Sequence, residues 1–399
     1  MSSYLMNPKA PLLFRDGRPF KASDRAETLT FPLPSTVAGA LRAAYGESLG
    51  LSFAESKEKL LELESHGPLL VGFNSEGTQS TVYFPKPADA VYCKGEQGLL
   101  AAHLIPCEVS EAEGGTDLPK GLYPLFLKHQ KHGKPADGAD FWTLDNTVAW
   151  LAAANTDPIQ ADKLGADALP VEIRTHVGID STRLTNLDGA LFQTAGLDFG
   201  PSRKPNKNHG WEDQSFGLLA RFRQPGSEES PLAKGRFRTI GGESRLAWIE
   251  ATELWPDIPP ALSNALENTG WLKLMLATPA LFDYGWRPAW LDESTLEGSP
   301  PRLTGIKLKL CAVAMERWQP FSGWDLRTFE NHKGGASRAV RRLVPAGSVY
   351  WFNVLEGNAE ILRKLWLYPL SDQPQDCLNG FGLALPGIWS GEVSTNSKL

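Results

Sequence analysis

The order strand, helix, strand recurs in both halves of this 399-residue chain, and it constrains the fold more than any other feature. In the first half a helical pattern at residues 36–46 precedes a strand-like run at 67–75. In the second half strand-like runs at 271–282 and 342–354 precede a helical pattern at 358–365. This order favours two α+β units with antiparallel sheets, each ferredoxin-like, over a parallel doubly wound sheet.

The division into units follows the same order. We predict an N-terminal ferredoxin-like domain with insertions over residues 1–256 and a C-terminal one over 257–399 that ends in a glycine-rich loop. The 38 glycines and 30 prolines predict long inserted loops, above all between residues 107 and 140.

Bulk properties exclude several classes of protein. With 42% apolar and 22% charged residues, the chain has an ordinary soluble composition and no apolar run long enough to cross a membrane. The N-terminus lacks the zones of a signal peptide, and the four scattered cysteines indicate free thiols, so we expect a cytoplasmic protein. A net charge of −6 excludes a uniformly basic nucleic-acid binder but allows a local positive surface.

The N-terminal stretch combines a cationic turn with a small-residue helix. Arg15 and Arg18 flank an Asp-Gly turn, and Ser35 or Thr36 is the predicted helix cap. Gly39 inside this helix costs about 1 kcal/mol relative to alanine. We therefore expect a tightly packed neighbour, a strand or a phosphate at Gly39.

No pattern indicates a metal or a cofactor. His129 and His132 are three residues apart, but they lie in a predicted loop without a nearby cysteine or carboxylate pair. The chain has no nucleophile elbow, no P-loop and no dinucleotide fingerprint before a helix. We expect neither.

A strand-like run at residues 170–180 alternates with period two and places Arg174 and His176 on one face. This pair is able to act as a general base with an electrostatic helper, to contact an RNA backbone or a neighbouring subunit, or to face solvent. Glu243 is a weak candidate acid, and local pairing with Arg245 is the stronger interpretation.

Residues 327–342 form the main cationic cluster, in which glycines interrupt five cations and one glutamate: Arg327, Lys333, Arg338, Arg341 and Arg342. Such a segment is able to fold around phosphates, although a solvated face explains it equally well. The nearby Trp324 and Phe329 are able to stack on unpaired bases, although a tryptophan more often packs in a core.

Near the C-terminus the run NGFGLALPG contains Gly380, Gly382 and Gly387. Glycine adopts positive φ and lets a ligand backbone come close. A β-bulge or a tight strand crossing is an equally good interpretation of this run.

Nine short segments, in order from residue 12 to residue 387, together resemble one family: LLFRDGRPF, FPLPSTVAGALR, EIRTHVGID, GALFQT, GGESR, ATPALF, GWRP, VPAGSVYWF and GFGLALPG. The set is similar to the RAMP superfamily of CRISPR-associated proteins. Within it, the set resembles the subunits of type III-B Cmr effector complexes that grip the 5′ tag of the CRISPR RNA (crRNA).

The resemblance implies two RRM-like domains and a subunit without catalysis or cofactor. It implies crRNA, the large polymerase-like subunit and the backbone subunit as partners, with target RNA met indirectly. Together with the patterns above, it gives fifteen candidate RNA-binding residues: Arg15, Arg18, Ser35, Gly39, Arg42, Arg174, His176, Arg245, Lys333, Arg338, Arg341, Arg342, Gly380, Gly382 and Gly387.

Two rival functions stay open. One is a metal-independent endoribonuclease of the same superfamily that processes CRISPR RNA, with His176 as its base. The other is a scaffold that binds only protein and never touches RNA.

Overall fold

The computed structural model describes residues 1–15, 28–51, 53–74, 76–95, 98–109, 114–128, 133–154, 157–200, 214–224, 232, 234–267, 269–325 and 336–395. The candidates Arg18 and Lys333 lie outside these residues, as do the loop histidines His129 and His132 and the aromatic Phe329.

The helices in the described part of the chain are short. They are α1 (Pro34–Ser48), α2 (Phe53–Leu61), α3 (Leu144–Ala152), α4 (Pro260–Ala265), α5 (Ala359–Arg363) and α6 (Pro374–Leu378).

Strands make up most of the regular structure. Those before residue 256 are β1 (Ser2–Pro8), β2 (Ser65–Phe73), β3 (Ser80–Pro85), β4 (Ala90–Gly95), β5 (Gly98–Glu108), β6 (Leu125–Leu127), β7 (Lys134–Pro135), β8 (Phe141–Thr143), β9 (Ile159–Gln160), β10 (Gly165–Ala166), β11 (Val171–Ile179), β12 (Asn186–Leu197), β13 (Ser215–Phe222), β14 (Arg236–Thr239) and β15 (Leu246–Thr252). Those after it are β16 (Trp271–Leu276), β17 (Ala280–Leu281), β18 (Glu297–Gly298), β19 (Lys307–Ala314), β20 (Gln319–Phe321), β21 (Trp324–Asp325), β22 (Ala336–Ser337), β23 (Arg341–Val344), β24 (Val349–Glu356), β25 (Tyr368–Pro369), β26 (Leu383–Ile388) and β27 (Ser394–Thr395).

Two large sheets organise the molecule. The N-terminal sheet has the order β10-β8-β3-β2-β13-β1-β15-β14, and the C-terminal sheet has the order β18-β19-β24-β16-β26-β25. Smaller units are the ribbon β11-β12, the sheet β17-β23-β20, the pair β21-β22, and a sheet built on β4 and β5. Among the described pairs, β27 runs parallel to β5 and the others run antiparallel. The predicted α+β class with antiparallel sheets is confirmed.

Each large sheet contains four strands in the order fourth, first, third, second along the chain. These are β15-β1-β13-β2 in the N-terminal sheet and β26-β16-β24-β19 in the C-terminal sheet. A ferredoxin-like unit has helices after both its first and its third strand. Here the described residues between β13 and β15, and those between β16 and β19, form strands without a helix. The prediction of two ferredoxin-like domains is therefore not confirmed, and the boundary at residue 256 stays a prediction.

The N-terminal sheet is buried on both faces. Tyr4, Leu70 and Leu218 pack in a core beneath α1. Their neighbours Leu69 and Leu219 point to the opposite side and pack in the core of the C-terminal sheet. Because successive side chains of a strand alternate between faces, helix α1 and the core of the C-terminal sheet lie on opposite faces of this sheet.

Helix α1 begins two or three residues earlier than predicted and without a side-chain cap. Its N-cap is Leu33, so the predicted cap at Ser35 or Thr36 is wrong. Pro34 occupies the first turn, where its missing N–H costs no hydrogen bond and its fixed φ suits a helix. The second proline of the FPLP run, Pro34, is therefore the first residue of the helix.

Candidate nucleic-acid interface

The glycine-rich segment at residues 379–387 lies in the interior, at the junction of the two halves. Gly380 has a φ of +88°, and a Cβ there would lie 2.8 Å from the carbonyl oxygen of Ser65 at the start of β2. A Cβ on Gly387 would lie 2.9 Å from the carbonyl oxygen of Leu151 in α3.

Gly382 is equally confined, because a Cβ there would lie 2.8 Å from the backbone nitrogen of Ser371. The three glycines thus allow close approach within the protein. The expectation that a ligand backbone approaches Gly380, Gly382 or Gly387 does not fit this placement, and the alternative of a tight strand crossing does.

Arg42 is buried, with 4% of its surface exposed, and it links three segments. Its guanidinium donates to the carbonyl oxygen of Leu63 at 2.7 and 3.0 Å, to that of Leu378 at 3.0 Å, and to Asn379 Oδ1 at 2.6 Å. Burial lowers the pKa of Arg42 to about 10, which still leaves it charged at neutral pH. The expectation that Arg42 faces a guide RNA is corrected, because its donors are used inside the protein.

Gly39 lies exposed on α1, and a Cβ there would meet no atom within 4 Å. The expected close packing at this glycine is wrong. Ser35 is half-buried, and Arg15 is exposed at a bridge between its own backbone and that of Thr28. Arg15 and Gly39 are both exposed and stay predicted RNA contacts.

The predicted strand at residues 170–180 is confirmed as β11, and Arg174 and His176 share one face of the ribbon β11-β12. Arg174 Nε donates to the carboxylate of Glu172, and this hydrogen bond raises the pKa of Arg174. His176 Nε2 lies 2.8 Å from Thr194 Oγ1, and its ring stacks on Phe192 with centroids 5.0 Å apart.

The turn beyond β14 closes this polar face. Arg245 donates to Glu243 at 2.6 Å, which confirms the expected local pairing. His176 Nε2 lies 3.8 Å from the other oxygen of Glu243. The arginines are therefore neutralised by glutamates of the same chain, which makes this face a poor phosphate site.

The other face of the ribbon is mostly apolar and exposed. Its exposed aliphatic side chains are Val171, Ile173, Val177, Ile179 and Leu191. Alternation showed that the ribbon has two different faces, but only the fold shows that nothing in the described part of the chain covers the apolar one.

A cationic and aromatic surface lies on the C-terminal half, at the small sheet β17-β23-β20. Arg342 in β23 is exposed, and its Cζ lies 5.5 Å from the ring centroid of Trp318, of which 43% is exposed. A Cβ on Gly285 would lie 3.7 Å from Arg342 Cδ, so the turn that carries Tyr284 lies alongside. We call Trp318, Arg342, Tyr284 and Arg338 the Trp318–Arg342 surface.

Tyr284 is 61% exposed, with the guanidinium of Arg287 4.5 Å from its ring centroid. Arg338 is exposed, and its backbone N–H donates to the carbonyl oxygen of Gly323, just after β20. The surface therefore presents two open aromatic rings, each beside an arginine, which suits stacking on unpaired bases.

Arg341, next to this surface, points inward instead. It donates to Asp376 Oδ2 at 2.6 Å and lies 3.7 Å from Asp283 Oδ1. Burial raises the pKa of Asp376, while the hydrogen bond from Arg341 opposes that change. The predicted cluster is thus split between an exposed Arg342 and an Arg341 that is paired with carboxylates.

The predicted stacking partner Trp324 lies in β21, which pairs with β22. The sequence patterns did not indicate Trp318, Tyr284 or Arg287 as part of a site. The available signal was the cationic cluster at residues 327–342, but no spacing in the sequence indicates that a turn near residue 285 meets β23.

Two further features concern ligands and membranes. Among the described residues, no group of three or more histidine, cysteine, aspartate or glutamate side chains is placed to hold a metal ion. No helix in that part of the chain is long and apolar enough to span a bilayer. The four cysteines are free, as expected.

Comparisons with solved structures give remote likenesses. A chain of the type III-B Cmr-β complex bound to cognate target RNA and AMPPNP is 15% identical, with 91% of this chain and 88% of that chain covered at a TM-score of 0.46. A second Cmr-β structure with cognate target RNA is also 15% identical, covering 88% and 86% at 0.44. A chain of the Csm3–Csm4 subcomplex of the type III-A interference complex is 12% identical, covering 89% and 94% at 0.31.

No curated protein sequence matches the chain. A sequence model of the family described as CRISPR-associated protein (Cas_Cmr3) matches residues 4–389. Since that match runs through both sheets and nearly the whole chain, this protein belongs to the Cmr3 family of CRISPR-associated proteins.

Proposed function

We propose that this chain is the Cmr3-type subunit of a type III-B CRISPR effector complex and that it binds the 5′ repeat-derived tag of the crRNA. The observation that carries the RNA-binding part is the Trp318–Arg342 surface. It offers open aromatic rings, exposed arginines and a cation held over a ring. Single-stranded RNA is bound by this combination of stacking and charge.

The Trp318–Arg342 surface covers only a small part of the molecule, so it is compatible with an acidic overall charge. The net charge of −6 disfavours RNA on most of the molecule. Arg338 and Arg342 are exposed, and Arg341 between them in the sequence pairs with Asp376. RNA would therefore be held at one place, in a fixed orientation.

The subunit acts in this proposal by holding RNA and not by cutting it. His176, the candidate base, is engaged by Thr194 and stacked on Phe192 within a face whose arginines are paired with glutamates. Its partners in the cytoplasm are crRNA, the large polymerase-like subunit and the backbone subunit, with target RNA met indirectly through the guide.

The test is to purify the protein with its complex from the host and to sequence the 5′ ends of the bound RNA. A pool that shares one repeat-derived 5′ end is expected. Binding of that RNA to the purified chain should fall with salt, at about −0.7 per phosphate contact on a logarithmic plot. The substitutions Arg342→Ala and Trp318→Ala should each weaken binding about tenfold.

Lys364→Ala is the matched control, because it removes an exposed cation of the same half that pairs with Glu360. It should leave the affinity for RNA unchanged. Binding that Arg342→Ala and Lys364→Ala reduce equally would contradict the site. The absence of any tag RNA would favour a protein-only scaffold, and metal-independent cleavage abolished by His176→Ala would favour the endoribonuclease.

A further inference from the structure

A cavity of about 280 Å³ lies where the two halves meet. Leu69 and Tyr83 of the N-terminal sheet line it from one side, and Thr278 lines it from the other. Phe31 and Phe141 form an aromatic wall, with ring centroids 5.4 Å apart and an angle of 52° between the rings. The size is near the lower end of small-ligand pockets, which start at roughly 300 Å³.

Charged groups line the same cavity. Asp140 and Glu316 are exposed and Lys86 is half-buried, so these three mark its open side. Asp140 Oδ2 accepts the backbone N–H of Ala168 at 2.8 Å, which leaves its second oxygen available to a ligand.

Lys86 Nζ donates to the carbonyl oxygens of Pro87 and Ala90 at 3.3 and 3.0 Å. An ammonium has three donors, of which these carbonyls use two, and Nζ also lies 5.9 Å from the ring centroid of Tyr92. Burial lowers the pKa of Lys86 and raises that of Asp140, so both groups are partly desolvated, and hydrogen bonds to them are strengthened. The open side thus presents one donor and carboxylate acceptors above an apolar floor.

The cavity adjoins the Trp318–Arg342 surface through one short segment. Glu316 and Gln319 line the cavity, and Trp318 between them carries the ring beneath Arg342. An RNA strand whose phosphates lie at Arg342 therefore passes next to the segment that lines the opening of the cavity.

We propose that this cavity binds one unstacked nucleobase that carries an exocyclic amino group, from the RNA held on the Trp318–Arg342 surface. The inference deepens the proposed function and rests on it. The aromatic wall accepts the plane of the base, as aromatic side chains do with splayed bases. A carboxylate accepts from the amino group, and Lys86 donates to the adjacent ring nitrogen, as an adenine or a cytosine edge requires.

The charges also exclude a phosphate as the occupant. Asp140 and Glu316 together outweigh Lys86, so a phosphate would be repelled from the opening and remain at Arg338 and Arg342. A lysine or arginine side chain from a protein partner is the competing occupant, and it would fit the carboxylates without using the donor of Lys86 or the aromatic wall.

The first experiment measures binding of the purified full chain to single-stranded octamers of adenylate and of uridylate by fluorescence anisotropy. Wild type should prefer the adenylate octamer. Asp140→Asn should reduce that preference about tenfold, the size of one specific base contact. Asp137→Asn is the matched control, since this exposed aspartate belongs to the same segment but does not line the cavity.

The second experiment labels the same protein with the nucleoside 8-azidoadenosine under light and maps the modified peptides. Labels at residues 29–33 or 139–142, lost in Phe31→Ala, are expected. Labelling elsewhere only, or equal effects of Asp140→Asn and Asp137→Asn on the octamers, overturns the inference. If neither octamer binds while the cavity is labelled, the nucleobase site stands and the proposed RNA-binding function fails.

Discussion

Arg42 and Arg342 show that the surroundings of an arginine decide its role. Both occur in segments that the sequence marks as cationic or helical. Arg42 donates to backbone carbonyls of two other segments, so its donors are used in holding those segments together. Arg342 meets an exposed indole ring and remains open to solvent. Residue type alone predicts neither outcome, because the partners lie far away in the chain.

His103 gives a pH dependence at the same scale. It is 3% exposed and its ring stacks on Trp150, with centroids 3.4 Å apart. Burial, assisted by the nearby Lys273, lowers the pKa of His103 to about 3. Because the unfolded chain protonates this group near pH 6.5, the stability it contributes is complete above about pH 6.5 and falls as the pH decreases toward 3.

We therefore expect the free energy of unfolding in urea to fall between pH 6.5 and pH 4.5, and the fall to be smaller in His103→Phe. Phenylalanine keeps a ring for the stack but takes up no proton. The variant is compared with wild type at pH 7.5 as well, where both are neutral at this position. An unchanged pH dependence in His103→Phe would rule out His103 as the source.

At the scale of elements, two glycines that look alike in sequence have opposite surroundings. Gly39 lies mid-helix in α1 with open space around it, whereas Gly380 has positive φ and touches the backbone of β2. The helical pattern predicted α1 well, because its apolar spacing is local. The contact of Gly380 joins residues more than 300 positions apart and leaves no local pattern.

We expect Gly39→Ala to stabilise the protein by about 1 kcal/mol, because alanine is the better helix former. Gly380→Ala should destabilise it by about 2 kcal/mol or more, since its Cβ would press on the carbonyl oxygen of Ser65 in a strained backbone conformation. Urea unfolding of the pair measures both. A loss of stability in Gly39→Ala would reveal a contact at that face of α1.

At the scale of the whole molecule, the two halves share a core. Leu69 and Leu219 of the N-terminal sheet pack in the core of the C-terminal sheet. Lys273 of β16 also pairs with the buried Asp89 at 3.2 Å, across the same junction. A cut of the chain at residue 256 would therefore separate side chains that pack in one core.

We expect neither fragment 1–256 nor fragment 257–399 to be stably folded when expressed alone, and co-expression of both to restore a soluble complex. The reason is that separation would expose the apolar face of β2 and β13 to water. Circular dichroism and size-exclusion chromatography measure the outcome. Two fragments that each unfold cooperatively on their own would show that the halves are independent domains.

The sequence by itself determined the α+β class, the antiparallel strands, the two-faced strand β11 and the set of motifs that marks the family. These are local or ordered along the chain, so periodicity and spacing carry them. The tertiary structure alone decided that the glycine-rich segment is interior, that Arg42 is buried, and that Trp318 meets Arg342 beside a cavity. The physical reason is that burial and partner choice depend on what packs across an element, and distant residues supply that partner.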